Sequence, residues 1–204
     1  EHQQRIGVRF SWVGAAGFYG NDPAFLRGVD AMGETFVVDV HCDQRIFLKD
    51  PKPTLKKKGK RGRKPTKLEA NTPAIRVDQW LSEQPDASWR RVKVRDSSRG
   101  ELEVDVLQRR VWLWDNEEFA AHCWHVIVRR EVDAPQEVKY TLSNASAETS
   151  MKRLAEMQAQ RYWVERAFQD GKSECGLADY QVRKWRGWHH HNWRSQCHPL
   201  ASKT

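Results

Sequence analysis

The chain has 204 residues, with 39% hydrophobic and 30% charged residues and a formal net charge of +8. That composition suits a soluble globular protein of one domain or one and a half. No apolar run is long enough to span a bilayer, and Glu1-His2-Gln3-Gln4-Arg5 lacks the layout of a signal peptide, so the expected location is the cytoplasm, with no membrane partner. The charge is uneven: residues 52–67 carry nine Lys and Arg and no acid, which leaves the remainder at −1. Cys42, Cys123, Cys175 and Cys197 form no C-x-x-C pair, so free thiols in a reducing compartment are expected in place of a zinc site.

In chain order, residues 8–15 read as a strand. Asp22 can cap a helix with Pro23 in its first position, carrying Phe25, Leu26, Val29 and Met32 on one side, and Gly33 can close it. Glu34 to His41 reads as a buried strand, so residues 1–43 predict a parallel strand-helix-strand unit. Two parallel strands make no stable core, and further strands are expected upstream of Glu1. Residues 49–73 show no apolar period and read as a disordered or loosely held loop.

Asp78 to Glu83 predicts a short helix. Trp89–Arg95, Leu102–Trp114, Cys123–Val132 and Val138–Leu142 predict strands, with a turn at Ser97-Ser98-Arg99-Gly100. This block within residues 44–145 reads as an insertion or subdomain. From Ser146 to about Gly171 the stripe Leu154, Met157, Val164, Phe168 predicts a helix, in a C-terminal helical part covering 146–191. Residues 192–204 form an atypical tail in which Pro199 and polar residues deny a helical core face.

Arg161, Glu165 and Lys172 would project from nearly one face of that helix. A carboxylate flanked by two cations stays ionised, which suits a metal ligand beside phosphates; the same spacing also describes an exposed ladder of ion pairs. Gly59-Lys60-Arg61-Gly62-Arg63-Lys64-Pro65 resembles a minor-groove-reading core, although a solvated linker with unspecific phosphate attraction has the same composition. Lys57, Lys58, Lys60, Arg61, Arg63 and Lys64 are therefore candidate DNA contacts. Arg183, Lys184 and Arg186, interleaved with Trp185 and Trp188, form a second set; the two tryptophans could equally pack on a sheet. His189, His190 and His191 face different ways on a helix and do not make a shared metal site.

The segment from Arg161 to Lys172 resembles the signature of DDE insertion-sequence transposases: Tyr, two residues, Arg, three residues, Glu, six residues, Lys. Arg161, Glu165 and Lys172 match it, while Gln158 stands at the Tyr position. Gly176 to Arg183, Trp185-x-x-Trp188-His189, Trp12-Val13-Gly14-Ala15 through Tyr19-Gly20, and the strand at Phe36 are similar to the branch known as DDE endonucleases.

The resemblance implies a partial RNase H-like α/β fold, a strand-helix-strand plus the catalytic-Glu helix, with a β-rich insertion. It implies DNA transposition at the ends of a mobile element, Mg2+ as cofactor, double-stranded DNA at transposon ends as partner, and room for self-association. Glu165 would be the metal-binding catalytic carboxylate, with Arg161 and Lys172 holding phosphates.

The second carboxylate of the family pattern falls on Ala16, a lost catalytic position, and residues 1–15 hold no Asp for the first. Asp39 and Asp43 remain as alternative replacements. The expectation is an inactive, truncated or frameshifted fragment; the alternative is a non-enzymatic DNA-binding remnant that interferes with intact transposase.

Overall fold

The structure, a computed structural model, describes residues 7, 9–56, 66–97, 100–174, 184–187 and 189. Two compact units divide after Ala159. The first is built on one six-stranded mixed sheet, in which the strands Val13–Ala15, Phe36–Val40, Val138–Ser143, His122–Glu131, Gly100–Leu113 and Arg90–Ser97 lie side by side in that order.

β1 (Val13–Ala15) and β2 (Phe36–Val40) run parallel, with Val13, Gly14 and Ala15 opposite Phe36, Val37 and Val38. Between them lie α1 (Gly17–Gly20) and α2 (Pro23–Ala31). The expected start signal operates: an Asp22 Oδ1 accepts from the amides of Ala24 at 3.0 Å and Phe25 at 3.3 Å, and Pro23 needs no donor there. Gly33 sits at φ +72°, the left-handed conformation that closes such a helix at least cost. Leu26 and Val29 are buried, as the stripe predicts, whereas Met32 is exposed.

The described parts of the loop read over 49–73, residues 49–56 and 66–73, are more ordered than expected. β3 (Arg45–Ile46) pairs with β6 (Ile75–Arg76), and β4 (Thr54–Leu55) pairs with β5 (Leu68–Glu69). Asn71 fastens the base of the second ribbon, its amide donating to the Pro51 carbonyl at 2.8 Å and its side chain to that of Lys52 at 2.7 Å. Two-residue strands have no readable period, which is why composition alone missed them. The segment 57–65, with Lys57, Lys58, Lys60, Arg61, Arg63 and Lys64, lies outside the described residues, as does Arg183.

α3 (Val77–Ser82) precedes a long meander, β7 (Arg90–Ser97), β8 (Gly100–Leu113), β9 (His122–Glu131) and β10 (Val138–Ser143). Ser97 pairs with Gly100, as the turn residues predict. β10 lies antiparallel on β2, with Tyr140 opposite Val40 and Ser143 opposite Val37. The β block thus supplies four of the six strands of this sheet, and β2 gains its second neighbour from downstream.

Alternation along the strands divides two cores. One face packs Phe36, Val38, Leu107, Val111, Val126 and Leu142 beneath α2 and α3. The other packs Val94, Val104, Val106 and Ile127 beneath α4 (Met151–Ala159), which contributes Leu154, Ala155 and Ala159. β9 is buried on both faces, which explains its continuous apolar run.

The single helix expected over 146–171 is two. α4 ends at Ala159, and α5 (Arg161–Ser173) runs past Gly171 in the second unit. Its stripe divides accordingly. Leu154 and Met157 are buried, while Val164 and Phe168 are 57% and 58% exposed. Periodicity marks an amphipathic face but cannot say whether anything packs on it.

Candidate active site

The chain end of β1 is where functional residues of parallel α/β sheets gather. Ala16 stands there in extended conformation, φ −76° and ψ 167°, and its carbonyl accepts from the amides of Tyr19 at 2.9 Å and Gly20 at 3.1 Å. The strand therefore turns directly into α1. Gly20 is required by contact: a Cβ built on it would lie 1.9 Å from the Asp39 carbonyl oxygen. Asn21 completes the turn. Its side-chain oxygen accepts from the His41 amide at 3.2 Å, and its amide group donates to the Gly17 carbonyl. Ala16 supplies only a methyl group at this position.

Asp39 follows Val38 on β2, one step beyond the Ala15–Val38 pair. Its carboxylate accepts from the Thr141 hydroxyl at 3.2 Å, and that hydroxyl accepts from the Gln158 side chain. Arg129 is close by. Burial pushes its guanidinium below the usual value, opposed by the charges of Glu131 and Asp39, and Glu131 Oε1 lies 3.1 Å away. Asp39 is thus engaged in a largely buried polar network that includes an arginine, an environment unlike that of an open metal ligand. Asp43 is exposed in the turn after β2. Gln158, at the Tyr position of the resembled signature, is buried on α4 and braces the sheet through Thr141.

On α5 the three signature residues come together. Arg161 Nη2 lies 3.2 Å from Glu165 Oε1, and Glu165 and Lys172 line one shallow groove with Phe168, Gln169 and Ser173. The Glu165 side chain is 70% exposed. Arg166 and Asp170 form a second pair at 2.9 Å. Exposed pairs at this spacing contribute about 0.3–0.5 kcal/mol each. Among the described residues, no group of three or more His, Cys, Asp or Glu is arranged to hold a metal ion. The donor set for a divalent pair is not assembled by these residues.

Lys184, Trp185 and Arg186 are exposed, Trp185 at 73%. The Trp185 ring meets that of His189 edge-on at 4.0 Å. Trp188, His190, His191 and the tail lie outside the described residues. Two of the four cations of β7 are paired with acids of β8: Arg91 lies 3.1 Å from Asp105, and Lys93 contacts Glu101. The ribbon formed by β4 and β5 brings the two ends of the basic segment together, with the Lys56 amide donating to the Lys67 carbonyl at 3.3 Å.

Sequence reasoning missed the supports of this region. Asn144 donates to Asp30 Oδ1 at 2.6 Å and to the Glu34 carbonyl at 2.9 Å, and accepts from the Phe36 amide at 2.7 Å. It ties α2 to the start of β2 across more than 100 residues of chain. Arg27 on α2 pairs with Asp115, and with Glu117 at 2.8 Å and Glu118 at 3.4 Å. His125 is fully buried: its Nε2–H donates to the Ser146 carbonyl at 3.0 Å and its Nδ1 accepts from Gln108 at 2.9 Å. No local signal marks any of these, because each partner is distant in sequence.

Residues 1–101 match the family model described as DDE superfamily endonuclease. The match covers β1, Ala16, β2 and the basic segment, and stops before α5. No curated protein matches the chain. The motif at the end of β1, the mixed α/β sheet that carries it and this match agree: the chain is a DDE-superfamily, transposase-like protein with an RNase H-like α/β fold.

Proposed function

We propose that this chain contacts DNA as a piece of transposase-type nuclease machinery and, by itself, holds DNA without cutting it. An intact protein of this kind would cut and join DNA at insertion-sequence ends by metal-dependent phosphoryl transfer, with Mg2+ the expected ion. The observation that carries the reading is Ala16, which stands at the strand end where the resembled pattern has a carboxylate, inside the segment that matches the family.

Glu165 would be the remaining carboxylate, and Arg161 and Lys172 would hold phosphates; their shared face on α5 supports those roles. Lys57, Lys58, Lys60, Arg61, Arg63 and Lys64 would supply the main phosphate contacts, with Arg183, Lys184 and Arg186 adding to them. The charge distribution supports this, since nine cations fall in residues 52–67 and the rest of the chain is near neutral.

A chain that keeps its cations but lacks a carboxylate position is suited to occupying transposon ends. That favours a second role, interference with an intact transposase through DNA occupancy or self-association.

The test combines two assays on the full chain. Fluorescence anisotropy with duplex DNA should show binding whose log affinity falls with log salt by about 0.9 per phosphate neutralised. Replacing the six cations at 57–64 by Gln should weaken binding and flatten that slope. Supercoiled plasmid incubated with Mg2+ or Mn2+ should stay uncut. Magnesium-dependent nicking abolished by Glu165→Gln would overturn the non-cutting reading, and an unchanged salt slope would remove the basic segment from it.

A further inference from the structure

The turn that follows β1 presents an aromatic surface that no role above uses. Phe18 is 83% exposed and Tyr19 49% exposed on α1. Phe18 meets Tyr19 edge-on, with ring centroids 5.3 Å apart at 90°, and Tyr19 is backed by Phe25 at 5.0 Å. A scattered exposed apolar residue needs no explanation, but contiguous exposed rings do.

The backbone beneath them is held firmly. The Tyr19 and Gly20 amides share the Ala16 carbonyl, the Asn21 amide donates to the Gly17 carbonyl at 3.0 Å, and Gly20 is wedged against the Asp39 carbonyl. An aromatic that is both exposed and anchored loses little entropy when a partner covers it.

We propose that Phe18, backed by Tyr19 and Phe25, is a stacking platform for an unpaired nucleobase of a DNA strand; this rests on the DNA-contacting role proposed above. Two observations favour that occupant. First, the area is small. An aromatic side chain buries 150–250 Å², so the exposed parts of Phe18 and Tyr19 offer roughly 300 Å². A stable interface between copies needs about 800 Å² from each partner. A single flat base matches the surface that is available. Second, the chain carries in residues 52–67 the cations that a phosphate backbone requires. Cations that follow the backbone, combined with rings that take bases, are the pair of features that single-strand binding uses. Stacking tolerates any base, so the platform would read the unpaired state and not the sequence.

The experiment uses the full chain and two oligonucleotides: a blunt duplex, and a forked duplex whose unpaired strand carries 2-aminopurine. Wild type should bind the fork more tightly and quench the 2-aminopurine. Phe18→Ala should lose about 5- to 100-fold in fork affinity together with the quenching, and leave duplex affinity unchanged. Phe18→Trp should retain both. Equal fork affinity and quenching in wild type and Phe18→Ala, with DNA still bound, would overturn the platform while leaving the DNA-contacting role intact. Absence of binding to either oligonucleotide would overturn that role and the platform with it. A wild-type dimer in sedimentation that Phe18→Ala converts to monomer would assign the rings to contact between copies and refute the proposal.

Discussion

Gly20→Ala is the sharpest perturbation of the strand end that holds Ala16. The new Cβ would stand 1.9 Å from the Asp39 carbonyl oxygen and 2.9 Å from its carbonyl carbon, where contacts under 3.0 Å are essentially never seen. Relief therefore needs a displacement of about 1 Å. The obstacle is backbone, so no rotamer change can provide it. β2 cannot retreat cheaply, because it is paired with β1 on one side and β10 on the other, with Asp39 itself opposite Thr141. α1 cannot retreat without giving up the two bonds onto the Ala16 carbonyl. Overpacking of this kind costs about 1–3 kcal/mol, and a lost backbone bond adds about 1 kcal/mol, so the expected destabilisation is roughly 2–4 kcal/mol. Urea unfolding followed by tryptophan fluorescence should show the midpoint fall with the slope unchanged. A change below about 0.5 kcal/mol would refute the close approach and, with it, the physical reason for glycine in the Tyr-Gly pair.

Asn144→Ala should cost roughly 3–5 kcal/mol in the same assay, since it removes three hydrogen bonds, one of them to a carboxylate, and strands the Phe36 amide; a loss under about 1 kcal/mol would show that α2 and β2 are not tied this way. His125 is lowered by burial from its ordinary 6.5, despite its hydrogen bond to Ser146. Its contribution to stability is fully present above pH 6.5 and is lost as pH falls below that toward the folded-state value. Stability should accordingly decline on acidification below 6.5, by at most about 1.4 kcal/mol per pH unit from this one group, and His125→Gln should flatten the slope; an equal slope in the variant would exclude His125 as the cause. Glu165→Gln should change stability by less than about 0.5 kcal/mol, because its pair with Arg161 is exposed; a loss above 1 kcal/mol in thermal unfolding would show that Glu165 is structural.

Local chemistry was legible wherever a single turn of chain decides the outcome. Asp22-Pro23 starts α2, Gly33 closes it, Ser97 pairs with Gly100 where β7 meets β8, and alternation in Leu102 to Val106 marks a half-buried strand. The Arg161, Glu165 and Lys172 face follows from helical spacing alone, and α5 carries it. The misreadings have two causes. An apolar stripe does not reveal its partner, so Leu154 and Val164 looked alike although one is buried and the other exposed. A two-residue strand has no period, so the ribbon clamped by Asn71 looked like an unstructured loop.

The sequence by itself determined the family resemblance, the alanine at position 16 where the resembled pattern has a carboxylate, and the concentration of positive charge in residues 52–67. These depend on residue identity and short spacing, which folding does not alter. Only the tertiary structure decided that the β block continues the sheet through β10, and that Asp39 is engaged with Thr141 beside Arg129. It also decided that Phe18 stands exposed on a fixed turn. Each of these depends on which distant strand lies alongside, and that is settled by burial of two sheet faces at once, a long-range condition that no local window contains.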